Sequence, residues 1–435
     1  MRLSVSFRTF CVLILFFEIG KTSVSVALAH IFGFGHTQSD DVQSKGKKAR
    51  APVFIKSVVD LLRKHDVVIA DKYILFLFTF SIFFAQPYSY HRCNHLQQHR
   101  LSLREAANNF PQSVRLLALN WSLDQPPATV HRICGDRVQQ RGDNHQTLRA
   151  DLLSKSHEEV IWMFINSSQE LAPSEVDNVV EMELGESLED AVKRAVKGCV
   201  AVMGLEMPSD EKIQEGLNVV RGYAPTLKNL DDPNDKKKKK LDAQYYGLLA
   251  EVDLEDLLDR AFANENQPIK DFWNGLKTDN RVTKRPHVTI VHRNSIDTER
   301  DLWNRCAALH EMSTAVPLFK GTLRNVLWDG RVMAITVEDF DIVEEAAAAA
   351  EGSSGGGSNN NDSNNEQGRE FVSNLPDNIR LRMHITVGTR YASIKAVEAK
   401  SMVERWRRGK EGDMIKSFKL DVDQVVYGRI KGLSK

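Results

Sequence analysis

Two short stretches carry the same pair of side chains: Pro286-His287-Val288-Thr289-Ile290-Val291 and Met383-His384-Ile385-Thr386-Val387. Side chains alternate along a strand, so each histidine shares a face with the threonine two residues on. Val288, Ile290, Ile385 and Val387 face the other way, toward a core. Set side by side, two such strands surround one polar cavity with two imidazoles and two hydroxyls. That set suits hydrolysis of a cyclic phosphate without a metal. One imidazole takes a proton from water while the other gives one to the leaving ribose oxygen, because imidazole titrates near neutral pH. The hydroxyls donate hydrogen bonds to the non-bridging oxygens, where charge builds in the transition state. A single His-x-Thr is a weak signal and is most simply a histidine hydrogen-bonded on a half-buried strand. A third copy, His145-Gln146-Thr147, stands in RGDNHQTL, which has no strand pattern. The repetition in two matching strands is what points to a site.

A second constellation opens at Gly20-Lys21-Thr22-Ser23. In a P-loop, G-x-x-x-x-G-K-[ST], backbone amides wrap the phosphates, the lysine neutralises their charge and the hydroxyl holds magnesium. The second half is present at a helix start, but the first glycine would fall at Leu15. His36-Thr37-Gln38-Ser39-Asp40-Asp41 then puts Asp40 just past that helix, where a base for a sugar hydroxyl is useful. The strand DVVIAD ends on Asp71, the place of a second magnesium ligand. His131 to Arg137 and Gln140 to His145, with Arg141 between, read as a basic lid that clamps phosphate. A solvated helix charge is the plain alternative for each arginine.

These residues need an α/β scaffold, and the chain supplies one. TSVSVALAHIF, FIKSVVDLLRKH and LREAANNF read as helices, and DVVIAD and SVRLLALNW as strands. SLEDAVKRAVKGCV reads as a helix capped by Ser187. NLDDPNDKKKKKLDAQ has no periodicity and reads as a linker. YYGLLAEV, RPHVTIVHR, TLRNVLW, RVMAITVEDF, RLRMHITVGTR and FKLDVDQVVYGRI read as strands, with Asp329-Gly330 a hairpin turn. DLEDLLDRAF reads as a helix. The Ala-, Gly- and Asn-rich stretch at 344–368 reads as a disordered loop.

At 435 residues the chain has room for two or three domains. Lys plus Arg and Asp plus Glu are 58 each, so any nucleic-acid contact must come from local patches. Five scattered cysteines without a C-x-x-C pair argue against a disulfide framework or a structural zinc site, and for a reducing compartment. Residues 1–19 mimic a signal peptide but lack a small-x-small cleavage site. A greasy segment at 73–92, YILFLFTFSIFFAQPYSYHR, matches neither neighbour, and its apolar core falls short of the roughly 20 residues a membrane span needs. Its ends can be encoded with a GTAT splice donor and a YAG acceptor, and its removal joins Lys72 to Cys93 in frame. It reads as a translated, unspliced intron, and residues 1–19 as a second.

The paired His-x-Thr strands resemble the 2H phosphoesterases over residues 244–435. That resemblance implies His287 and His384 as the acid/base pair, Thr289 and Thr386 as phosphate ligands, and no cofactor there. The whole order from Gly20 on is similar to the C-terminal two-thirds of the fungal tRNA ligases. It implies an α/β chain: a doubtful N-terminal segment at 1–19, a P-loop NTPase-like polynucleotide kinase domain at 20–225 with the insert 73–92, a Lys-rich linker at 226–243, and an α+β, two-lobed 2H phosphodiesterase domain at 244–435. It further implies that Gly20, Lys21, Thr22 and Ser23 bind nucleotide, GTP by preference or ATP, and that Thr22 and Asp71 hold Mg2+. Asp40 becomes the base for an RNA 5′-hydroxyl, and Arg141 a lid residue. The expected substrates are tRNA halves with 2′,3′-cyclic phosphate and 5′-hydroxyl ends, met in the cytoplasm, the nucleus or both, with no membrane partner. The family's ligase domain and its nucleotidyl lysine motif have no counterpart in this sequence. Two rivals stand beside this reading: a non-catalytic RNA-binding module that keeps the groove, and a secreted or membrane-bound hydrolase if 1–19 and 73–92 are genuine.

Overall fold

The computed structural model describes residues 8–13, 20–38, 50–71, 97–111, 113–141, 157–224, 243–265, 267–312, 316–344, 361–409 and 414–433. Asp40, the 73–92 segment, most of the lysine linker and the third His-x-Thr copy lie outside them. The chain divides into two compact units, residues 1–123 with 133–238, and residues 124–132 with 239–435.

The first unit is built on five parallel strands: β1 (Arg8–Leu13), β2 (Gly35–Gln38), β3 (Val67–Asp71), β4 (Val114–Trp121) and β5 (Asn178–Met182). Their order is β2-β3-β1-β4-β5. Parallel neighbours require crossovers, and these carry helices that cover the sheet. One core packs Phe54, Val58 and Leu62 of the helix Arg50–Leu62 and Leu103 and Ala107 of the helix Gln97–Asn108 on Val68, Ala70, Leu116 and Ala118. The helix Lys21–Phe32 packs with the helices Leu188–Met203 and Asp210–Arg221. Ser187 caps its helix by accepting from the Asp190 amide at 3.1 Å, as its sequence predicts. Gly198 lies so close to β5 that a Cβ there would meet Val180 at 2.4 Å.

Residues 1–19, set apart by the sequence, include the central strand of this sheet. β1 lies between β3 and β4, with Leu13 opposite Asp71. The physical reason is the position of Gly20: a phosphate-binding turn needs a strand feeding it, and Arg-Thr-Phe-Cys-Val-Leu is the apolar run that precedes it.

The second unit is one antiparallel sheet that closes on itself in the order β10-β7-β6-β11-β8-β9. Its strands are β6 (Tyr245–Ala250), β7 (His287–His292), β8 (Phe319–Trp328), β9 (Val332–Ile342), β10 (His384–Thr389) and β11 (Lys416–Leu433). The expected two lobes are thus parts of a single sheet, because β10 pairs with both β7 and β9. Val288, Ile290, Ile385 and Val387 point into a core shared with Leu258, Trp273 and Leu302 from the covering helices. The hairpin at Asp329-Gly330 forms, with Gly330 at φ +81°. Part of the stretch expected as a disordered loop is helical: a helix runs Asn361–Ser373, and residues 345–360 lie outside the described residues. Gly368 faces Ile342 so closely that a Cβ would meet it at 2.4 Å, and Phe371 enters the core.

Candidate functional sites

The first site gathers at the sheet's switch point, where an open α/β sheet forms its crevice. Gly20, at φ +81° and ψ 16°, is the left-handed N-cap of the helix that Lys21 opens. From the second residue of that helix, the Thr22 hydroxyl donates to Asp71 Oδ2 at 2.8 Å. Lys21 Nζ is 3.6 Å from Asp71 Oδ1, and both side chains are buried. Burial alone would raise the Asp71 pKa, but Lys21, His36 and Thr22 together outweigh it and hold the carboxyl below its ordinary value. His36 Nε2 stands 4.0 Å from Asp71 Oδ2, too far for a hydrogen bond. Asp71 Oδ1 and His36 Nε2 are both buried without a hydrogen-bond partner. A buried anionic oxygen left without a donor, beside a hydroxyl, fits one magnesium ion better than it fits a closed hydrogen-bond network.

Lys21, Thr22 and Asp71 therefore come together as their spacing predicts. Ser23 lies half-buried on the same first turn. Arg141 ends the helix Pro127–Arg141, and its side chain lies outside the described residues. Of the basic segment expected as a lid, residues 131–141 lie in this helix: His131 is buried, and Arg137 donates to the Glu186 carbonyl at 2.8 Å. Its positive charges are partly engaged in holding the fold. His36 was missed as a site residue, although it opens the same His-Thr-Gln-Ser motif.

The second site lies on β7 and β10. The two strands pair at Ile385↔Val288. Antiparallel register carried one residue to each side sets His287 opposite Thr386 and Thr289 opposite His384. Each imidazole therefore neighbours the hydroxyl of the other strand. Both histidines are held the same way: Nδ1 of His287 bonds the Arg285 carbonyl at 2.8 Å, and Nδ1 of His384 bonds the Arg382 carbonyl at 2.7 Å. A carbonyl only accepts, so Nδ1 carries the proton in both rings and a lone pair is left on Nε2. Burial lowers the pKa of each. His384 falls to about 4, by burial first and then by the neighbouring His287 and Lys400, against the Arg382 carbonyl and Glu404. His287 is lowered by burial and by Arg285, against its carbonyl partner.

Neighbouring strands shape the pocket. Tyr245 on β6 lies tilted beside His287, ring centres 5.1 Å apart. Thr336 on β9 pairs with His384 and accepts from the Asn325 amide at 3.0 Å. Sheet irregularities fall beside both motifs, between Tyr246 and Gly247 and between Thr386 and Gly388. At Gly388 a Cβ would meet the Arg281 carbonyl at 2.6 Å, so only glycine passes there. Arg281 in turn donates to the Thr389 carbonyl at 3.1 Å and fixes the strand end. The sequence shows Tyr245 in a strand but not which strand it adjoins, so its place beside His287 was not legible.

A phosphate-binding turn on a parallel sheet, joined to a paired-histidine sheet, defines a mixed α/β protein with a kinase-type domain and a phosphodiesterase-type domain. Residues 12–184 match the tRNA ligase kinase domain. Residues 179–433 match the fungal tRNA ligase phosphodiesterase domain, and the chain belongs to that family. The tRNA ligase 1 of Schizosaccharomyces pombe is 23% identical over 348 residues, 73% of this chain. The chain spans 40% of that relative's length. Among solved structures, a fungal RNA kinase is similar at 18% identity and TM-score 0.39, covering 98% of this chain and 100% of its own. A gluconokinase from Sinorhizobium meliloti is similar at 14% identity and TM-score 0.29, covering 45% of this chain and 92% of its own.

Proposed function

We propose that the chain heals RNA ends in tRNA splicing. Its second domain, of the 2H phosphoesterase type, opens 2′,3′-cyclic phosphates to 2′-phosphates, and its first phosphorylates 5′-hydroxyl ends from GTP or ATP. The observation that carries the reading is the crossed register of the two His-x-Thr strands, with Nδ1 of each ring held by a carbonyl and Nε2 left for proton transfer.

His384, the more buried imidazole and the one pushed to about 4, stays neutral and takes a proton from the attacking water. His287, half-buried, carries the proton that goes to the ribose 3′ oxygen as the P–O3′ bond breaks. Thr289 and Thr386 donate to the non-bridging oxygens. In the kinase domain the Gly20 turn and Lys21 receive the donor's phosphates, with Ser23 behind them. Thr22 and Asp71 are the residues that would hold magnesium, which when bound offsets the charge of those phosphates. Asp40 takes the proton of the RNA hydroxyl, and Arg141 supplies a positive charge to the transferring phosphate.

The test is one short RNA with a 5′-hydroxyl and a 2′,3′-cyclic phosphate, incubated with protein, GTP and magnesium, both ends read by mass. A 2′-phosphate that the wild type forms and H287A does not supports the phosphodiesterase assignment. An untouched cyclic end in the wild type overturns it. The acid and base roles are separated by an activated aryl phosphodiester, whose leaving group needs no proton. It should rescue H287A and not H384A.

A further inference from the structure

The reaction above changes charge: a cyclic diester with one negative charge becomes a monoester that approaches two. The four side chains proposed to meet the phosphate bring at most one positive charge: both threonines are neutral, and the imidazole pair, whose pKa values burial lowers, shares the single proton it moves. The second negative charge of the product calls for a cation from a neighbouring element.

Sheet register shows where cations stand on this face. Paired residues of adjacent strands point to the same side of a sheet. One row runs Arg429↔Leu249↔His287, and the next Lys431↔Gly247↔Thr289. Residues on the other side of these strands, Ile430, Leu248 and Val288, are buried in the core and confirm the assignment of faces. The two rows differ at their middle position. Leu249, nearly buried, stands between Arg429 and His287. Between Lys431 and Thr289 stands Gly247, with no side chain at all. A Cβ there would meet the Val288 carbonyl at 2.7 Å, so the close approach of β6 to β7 keeps the position glycine. Two strand spacings separate Lys431 from Thr289, about 10 Å, and a lysine's four-carbon stem spans much of that. Lys431 is 6% exposed, unusual for a lysine outside a site.

We propose that Lys431 is a phosphate-binding residue of the phosphodiesterase site, reaching over Gly247 to the oxygens that Thr289 holds. Its charge favours the doubly charged transition state and product over the singly charged substrate. The proposal rests on the phosphodiesterase reading and adds a residue to it.

The test uses the full chain with adenosine 2′,3′-cyclic monophosphate as substrate, and adenosine 2′-monophosphate and adenosine as inhibitors. K431M should lower kcat/KM and raise the inhibition constant of the 2′-monophosphate, each by about 10- to 100-fold, the range for losing a hydrogen bond to a charged group. Inhibition by uncharged adenosine should stay the same. K431R should recover most of the loss, and R429M should stay within about twofold of wild type. If K431M weakens adenosine and its 2′-monophosphate equally, or if R285M rather than K431M carries the loss, Lys431 does not bind phosphate and the inference falls. A K431M protein as active as wild type also overturns it. If the wild type does not open the cyclic phosphate, the phosphodiesterase reading itself has failed, which the wild-type rate shows separately.

Discussion

The two candidate phosphate sites of this chain are built on opposite electrostatic plans. At the end of β3 a carboxylate is buried against Lys21 and Thr22, and its charge is kept by those neighbours against the pull of burial. On β7 and β10 burial wins, lowering the pKa of two imidazoles whose Nδ1 protons are fixed on backbone carbonyls. A nucleoside triphosphate brings several negative charges, so its site needs a metal cation and a ligand that remains anionic. A cyclic diester brings one, and what it needs is proton traffic between two groups that readily gain and lose a proton. Each plan suits the charge of the phosphate proposed for it.

Metal removal should separate the two plans most sharply. With excess EDTA, 5′-phosphorylation by the full chain should fall below detection, and cyclic phosphate opening should keep its rate. Both ends of one RNA, read by mass in the same tube, check it. A phosphodiesterase that stops with the kinase would break the comparison.

The next largest effect lies with the histidines. H287A and H384A should each lower cyclic phosphate opening by about 10²- to 10⁴-fold, the range for one acid/base group. Kinase rates should be unchanged, which steady-state assays of both ends would show. A loss below tenfold in either variant would mean that its imidazole only packs.

A third effect concerns scaffolding. Arg100 and Glu175 form a buried pair at 2.5 Å, and Arg100 also donates to the carbonyls of Gln169 and Glu170 at 3.1 and 2.7 Å. R100M strands Glu175 as an unpaired buried charge and should cost the first unit about 3–5 kcal/mol. In calorimetry of the full chain the kinase transition should move down by several degrees while the phosphodiesterase transition stays. Movement of both would show that the units unfold together.

Much of this was legible in the sequence for a physical reason: local pattern governs it. His-x-Thr alternation, the Gly-Lys-Thr helix start and the Ser187 cap depend on residues within a few positions of each other, and all three stand in the structure as read. What needed partners distant in the chain was not legible. Arg8–Leu13 looked like a leader because an apolar run does not name the strands it pairs with, here β3 and β4. Closure of the sheet into one body depends on β10 meeting β9 as well as β7, which no single strand encodes. The helix Asn361–Ser373 was hidden because its first residues are Asn, Asp and Ser, which favour turns, while Phe371 at its far end anchors it. Tyr245 became a neighbour of His287 only because β6 pairs with β7, a partner its own strand pattern does not name.

The smallest effect tests the neutral plan itself. Both imidazoles titrate below their ordinary value of 6.5. The free enzyme therefore most often holds one protonated and one neutral ring at a pH below 6.5. kcat/KM, which reports the free enzyme, should peak there. kcat, which reports the bound state, should peak at higher pH, because a bound phosphate anion favours the imidazolium. Stability follows with a defined sign. The folded pKa of His384 lies at about 4, below the unfolded value, so the unfolded chain takes up more protons as pH falls from 6.5 toward 4. The phosphodiesterase domain should lose stability across that window and keep it above 6.5. Rate profiles from pH 4.5 to 8, run beside thermal melts of the same samples, measure both. A kcat/KM maximum at or above pH 7 would mean that the two rings are solvated enough to hold a proton, and the contrast with the charged site at Asp71 would disappear.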